Sequence, residues 1–223
     1  MRPVLFFDIE TKVNPDALSF LPDPVAPGNY KDAEKIAQYV ADKKAEQIAQ
    51  AALDSDLGRV AAIAMQCGLE NTVEAFMVGD EATPDEPALL RCFWSRFEQM
   101  EGYACGYNII GFDLPYLLRR SFALNVIIPL QPRLTKYQIE PVTDLMGILY
   151  NWGSARSLKW VCNRYGIENP MPDLDGSQVA SMDRETLRKY AMNDVFLAVE
   201  LYKRMCGVYL PALNAFQPAF FPR

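Results

Sequence analysis

Val4-Leu5-Phe6-Phe7-Asp8-Ile9-Glu10-Thr11 is the stretch on which the fold turns. Its β-branched and aromatic content is that of a buried strand, whose side chains alternate between two faces. Val4, Phe6, Asp8 and Glu10 therefore point one way, and Leu5, Phe7 and Ile9 the other. Two carboxylates leave the end of a core strand side by side. Each raises the other's cost of burial, so the pair needs either cations or a mouth open to water. One reading is a divalent-metal site; the other is a strand whose polar end has reached the surface.

The whole chain narrows the chemistry. Its 223 residues, 50% hydrophobic and 22% charged, suffice for one large domain over 1–223 with a full core. The five cysteines are odd in number and scattered, without a C-x-x-C pair, which points to reduced thiols in a cytoplasmic setting. No signal-peptide pattern precedes the first strand, and no apolar run approaches the ~18 to 20 residues of a membrane helix. Secretion and a membrane location are not expected. There is no histidine at all, so histidine triads, H-E-x-x-H zinc sites and imidazole bases are excluded. A metal would have oxygen ligands, which favours Mg2+ or Mn2+. The net charge of -6 argues against a basic nucleic-acid coat protein. Two divalent ions on four carboxylates would bring it to -2 and suit a phosphate substrate.

Along the chain, residues 14–57 read as an insertion: a proline-punctuated loop, then a long helix over about 32–53 whose apolar stripe is narrow. That helix either flanks a substrate groove or is a solvated decoration. Residues 58–65 and 72–78 are expected strands joined by a turn at 68–71, forming an antiparallel meander with the first. After an acidic linker at 80–87 come a helix over 89–100, a short strand over 102–107, and a helix opened by Gly111-Phe112-Asp113-Leu114-Pro115. Strand and helix in alternation predict parallel later strands with helices on both sides, a mixed α/β sheet. Asp113 is placed to cap that helix. A strand over 140–145 and helices over 157–165 and 176–182 follow. Asp173-Leu174-Asp175-Gly176 is not a calcium loop, because its glycine sits fourth rather than sixth.

Asp183 is expected to cap a long helix running to about Cys206, with an apolar stripe of Leu187, Ala191, Asp194, Ala198, Leu201 and Met205. An aspartate in mid-stripe requires a metal, a hydrogen-bonding or a cationic partner. Tyr190, four residues earlier on the same face, can direct its hydroxyl to the same point. A buried salt bridge to a lysine or arginine is the alternative for Asp194.

Asp8, Glu10, Asp113 and Asp194 with Tyr190 complete a pattern. Phe7-Asp8-Ile9-Glu10-Thr11 resembles the D-x-E motif of the DEDDy class of 3′→5′ exonucleases. Gly106-Tyr107-Asn108-Ile109-Ile110-Gly111-Phe112-Asp113-Leu114-Pro115-Tyr116 resembles its second motif, N-x-x-x-F-D. Tyr190-Ala191-Met192-Asn193-Asp194 resembles its third, Y-x-x-x-D. The likeness is to the proofreading domain of family-B DNA polymerases, without palm or thumb regions, and implies a stand-alone nuclease of ribonuclease H-like fold. The sister class has histidine at the place of Tyr190.

The resemblance further implies a two-metal reaction on single-stranded DNA 3′ ends. Asp8, Glu10 and Asp194 would hold the Mg2+ or Mn2+ ion that activates water, and Asp8 and Asp113 the ion beside the leaving oxygen. Tyr190 would orient the water, while Thr11, Asn108 and Phe112 would line the terminal nucleotides. Two other readings stay open: an exoribonuclease similar to ribonuclease D, and a non-catalytic nuclease-like binding module. The aromatic tail at 209–222 either packs back over the core or docks a replication or repair partner.

Overall fold

The alternation expected of the first strand divides the protein into two cores. The computed structural model describes residues 4–208. In it, β1 (Leu5–Val13) sends Phe6 toward one apolar cluster and Leu5, Phe7 and Ile9 toward another, on opposite faces of one sheet. The other strands are β2 (Gly58–Cys67), β3 (Glu74–Met77), β4 (Ala104–Gly106) and β5 (Val142–Asp144), in the spatial order β3-β2-β1-β4-β5. The β1–β2 and β2–β3 pairs are antiparallel; β1–β4 and β4–β5 are parallel. Both short parallel strands lie beyond the centre, each reached through a helix, as crossover geometry requires.

Helices cover both faces. On one, Phe6, Ala62 and Ala64 pack against Leu187, Ala191, Ala198, Leu201 and Met205 of a 25-residue helix, numbered α6 below (Arg184–Val208). On the other, Phe7 and Ile63 meet Phe93, Trp94 and Phe97 of α2 (Glu86–Gln99) and Leu114 and Leu117 of α3 (Asp113–Ala123). Trp94 Nε1 donates to Ser121 Oγ at 2.8 Å, which satisfies the one polar atom of a buried indole. Each such aromatic or aliphatic side chain contributes about 1.5–3 kcal/mol by burial. This strand order, mixed polarity and two-sided helical cover are the ribonuclease H-like fold.

Between β1 and β2 lie a 3-10 turn (Pro15–Phe20), α1 (Ala33–Gln50) and a second 3-10 turn (Ala51–Leu53). α1 is capped by Asp32 and has no buried residue, so it lies on the surface. The segment leaves and returns at one point, where Asn14 N donates to Leu57 O at 2.9 Å. Helices α4 (Leu145–Leu149) and α5 (Leu158–Arg164) complete the described chain.

Some expected boundaries shift. The expected helix over 32–53 tightens to 3-10 geometry after Gln50, and the one over 176–182 is only a 3-10 turn (Gly176–Gln178). The expected strand over 140–145 is confined to Val142–Asp144, since Asp144 already caps α4. Asp113 does not cap α3: the cap residue is Phe112, without a side-chain bond, and Asp113 is the first helical residue. The aromatic tail at 209–222 lies outside the described residues. Among those residues, no helix is long and apolar enough to cross a membrane.

Candidate active site

Three elements bring the carboxylates together. The β1 period places Asp8 and Glu10 on the face covered by α6, and the α6 stripe places Asp194 opposite them. One oxygen from each of the three lies within 4.8 Å of the other two. Asp113 arrives from the start of α3, and the reason lies in the sheet. Leu5 N donates to Tyr103 O, so on alternation the N–H groups of Phe7 and Ile9 also face the β4 edge. β4 ends at Gly106 and leaves Ile9 without a strand partner; Asp113 Oδ1 accepts its N–H at 3.1 Å. A Cβ at Gly106 would approach Phe7 O to 2.8 Å, so glycine there permits the close approach of β4 to β1.

A buried carboxylate also shapes the turn between β4 and α3. Asp144, 1% exposed, accepts from Asn108 N at 3.0 Å, Ile110 N at 2.9 Å and Gly147 N at 3.1 Å. Asn108 has a φ of +67°, a conformation that asparagine tolerates better than most residues. Asp144 thus fixes the backbone leading to Phe112 and Asp113.

The site has a large excess of negative charge. Burial first, and then Asp113, Glu10 and Asp194, push the Asp8 carboxyl well up. Burial, Asp194 and Asp113 do the same to Glu10. Asp113 is pushed up to about 7, by burial, against the pull of the Ile9 N–H. Asp194 is raised by burial and held back by Lys159 and Tyr190. Among the described residues, Lys159 is the one cation paired with any of the four, at 3.6 Å from Asp194 Oδ1. Its ammonium also donates to Leu174 O at 2.7 Å and lies 3.9 Å from the Tyr190 ring centroid. The salt-bridge alternative for Asp194 is therefore partly realised, yet one ammonium cannot compensate four carboxylates.

These residues fit hard divalent cations. All donors are oxygens, which suits magnesium or manganese. Glu10 Oε1 is buried and has no hydrogen-bond partner, a costly state that a cation would relieve.

The remaining expected residues divide. Tyr190 is buried against the site, and its hydroxyl is hydrogen-bonded to Asp194. Burial, followed by Asp194 and Glu10, raises its pKa, so the hydroxyl stays protonated and serves as a donor. Asn108 and Phe112 stand half-buried on the turn beside Asp113, with the Phe112 ring 5.4 Å from that of Tyr116. Thr11 is buried and hydrogen-bonded to Tyr116, on the sheet face opposite Glu10.

Comparison with known proteins bears on this arrangement. The family described as predicted 3′-5′ exonuclease related to the exonuclease domain of PolB matches residues 52–209. The chain belongs to that family. No curated protein matches the chain. The PolB-type exonuclease match contains Asp113, Tyr190 and Asp194 and begins after Asp8 and Glu10. The fold supplies those two from β1, against the matched segment.

Sequence reasoning missed Lys159 and the role of Asp144. Lys159 is a lone cation at the start of a short helix, and its partner is distant in sequence. Asp144 had a readable signal: an aspartate between the β-branched pair Val142-Thr143 and Leu145-Met146-Gly147 can end a strand and cap a helix at once.

Proposed function

We propose that this PolB-type exonuclease removes nucleotides from the 3′ ends of single-stranded DNA by a reaction that needs two divalent cations. The observation that carries the reading is the convergence of Asp8, Glu10 and Asp194 on one point beside the buried Asp113, with a Glu10 oxygen left unpartnered.

Asp8, Glu10 and Asp194 would hold one ion, and Asp8 with Asp113 the other. When bound, such ions supply activation of the attacking water and charge stabilisation at the leaving oxygen. The chain's own residues do the rest. Ile9 N–H holds one Asp113 oxygen and so orients the other. Tyr190, kept protonated, donates toward Asp194 and positions the attacking water through the same hydroxyl. Lys159 holds Asp194 in place and offsets part of the negative charge that a phosphate must approach. Asn108 and Phe112 border the path of the terminal nucleotides, where an aromatic face can stack on a base. Cytoplasmic action accords with five free cysteines.

The test is incubation with end-labelled single-stranded DNA and RNA of one sequence, with manganese and with chelator. Stepwise shortening of DNA from the 3′ end, abolished by chelator, is the expected result. Equal shortening of RNA would move the substrate class to exoribonuclease. Internal cuts in closed circular single strands, or activity in chelator, would overturn the reading.

A further inference from the structure

Lys12 and Arg59 stand directly opposite one another across the antiparallel β1–β2 pair. Like charges in that position repel. Among the described residues, neither side chain has a carboxylate partner. A third cation, Arg184 at the start of α6, joins them around a cleft of about 210 Å3 that no carboxylate lines. Arg184 is held in place: it donates to Val78 O at 2.8 Å and to Asp80 Oδ1 at 2.6 Å. Asp80 is shared with Arg188 at 2.7 Å, so it cannot also compensate Lys12 and Arg59. In a chain of net charge -6, Lys12 and Arg59 are thus gathered beside Arg184 with no anion of their own, and a ligand anion would supply it.

Their position narrows the choice of ligand. Strand alternation puts Lys12 on the same face as Asp8 and Glu10, about 7 Å beyond Glu10. On α6, Leu187 lines the cleft, and Tyr190 and Asp194 follow within two turns on the same side. A carboxylate centre suited to cations and a cation-lined cleft therefore lie in line on one surface. A ligand with two phosphates in succession matches both: one for the carboxylate centre through its ions, one for the cleft.

We propose that Lys12, Arg59 and Arg184 bind a phosphate group of the nucleic-acid strand next to the bond being cut. The proposal rests on the exonuclease reading for the identity of the strand. The phosphate has two sources, an internal phosphodiester or a phosphate monoester on the 3′ end.

The experiment measures binding without cleavage. Fluorescence anisotropy in chelator is recorded for a 5′-labelled oligothymidylate ending in a 3′-hydroxyl and for the same strand ending in a 3′-phosphate, over a range of salt. The full chain is compared with the Lys12→Ala/Arg59→Ala double variant. Affinity should fall roughly tenfold or more in the variant, because two charge-assisted hydrogen-bond donors to phosphate are removed. The salt slope should fall by about 0.7 for each phosphate that the variant leaves unneutralised. If the native chain prefers the 3′-phosphate and the variant does not, the cleft takes the terminal group. If both strands weaken equally, it takes an internal phosphodiester. Unchanged affinity and slope for both strands would overturn the proposal. Melting curves check folding, and the double variant should melt no lower, since it relieves a repulsion; if it fails to fold, Lys12→Gln and Arg59→Gln are measured singly. Failure of the parent reading looks different: no strand is cut in manganese, yet the binding gap between native chain and variant persists.

Discussion

The backbone N–H of Ile9 donates to Asp113 Oδ1 at 3.1 Å, so the residue between the two strand carboxylates is tied to the third carboxylate. Asp113 thus has a structural and a chemical duty that substitution can separate. Asparagine retains an acceptor for Ile9 and removes a repelling charge. Asp113→Asn should keep or raise the stability of the metal-free protein while cutting DNA cleavage by about 10²-fold or more, the size of one lost catalytic group. Asp113→Ala should also cost about 1–3 kcal/mol in urea denaturation, because a buried N–H loses its acceptor.

Among the described residues, Lys159 is the only cation paired with one of the four carboxylates. Lys159→Met should lower the stability of the metal-free protein by about 1–3 kcal/mol, less than the roughly 3–5 of a fully buried pair because the two charges stand far apart for an ion pair. Saturating manganese should shrink that deficit, because the ion replaces the positive charge the variant has lost and so binds its folded state more tightly than it binds that of the native protein. Asp194→Asn should do the opposite and weaken the manganese-induced rise in melting temperature. A deficit in Lys159→Met that is equal with and without manganese would remove Lys159 from the site's charge balance.

Stability should also depend on pH with a definite sign. Asp113 is pushed up to about 7 in the fold from an ordinary value of 3.8, and Asp8 and Glu10 are raised with it. Between those limits the folded chain holds more protons than the unfolded chain, so in chelator the melting temperature should fall as pH rises from about 4 to about 7. The manganese-induced shift should grow over the same window, since ligands bind once deprotonated. A melting series in matched buffers checks both slopes.

Asp144 accepts three backbone N–H groups at the turn that leads to Asp113. Asp144→Ala should cost about 3 kcal/mol or more, given roughly 1–3 for each unsatisfied buried donor. Cleavage should fall even at temperatures where the variant is folded, because Phe112 and Asp113 lose their backbone support. Normal cleavage by a folded Asp144→Ala protein would restrict Asp144 to stability.

Much of the architecture is readable from the sequence because strand and helix periods are short-range. The alternation from Val4 to Glu10 assigns both faces of the central strand, and the Leu187 to Met205 spacing places Asp194 against them. What fails to show has long-range causes. Lys159 meets Asp194 only after the chain has folded back, and no local pattern marks it. Asp113 has the look of a cap because its neighbours, Gly111 and Pro115, suit a helix start; the Ile9 N–H that claims it is 104 positions away. Thr11 shares a motif with Glu10 but faces the other way, as the period of two demands.

The bond from Asn14 N to Leu57 O closes residues 15–56 into a loop of their own. In folding, β1 and β2 are therefore a hairpin with a very long turn. Loop closure grows only logarithmically, by about 0.6 kcal/mol for each doubling of length, so relative to a tight turn the long one costs roughly 2 kcal/mol. Register must then come from the strands themselves, from Phe7 opposite Met65 and Ile9 opposite Ile63, and not from turn geometry. Because no residue of α1 is fully buried, that helix is free to lengthen or shorten without moving Asp8 or Glu10, whereas the return of the segment is tied to α3 through Ala52 O, which accepts from the Tyr116 hydroxyl, and Ser55 O, which accepts from Arg120.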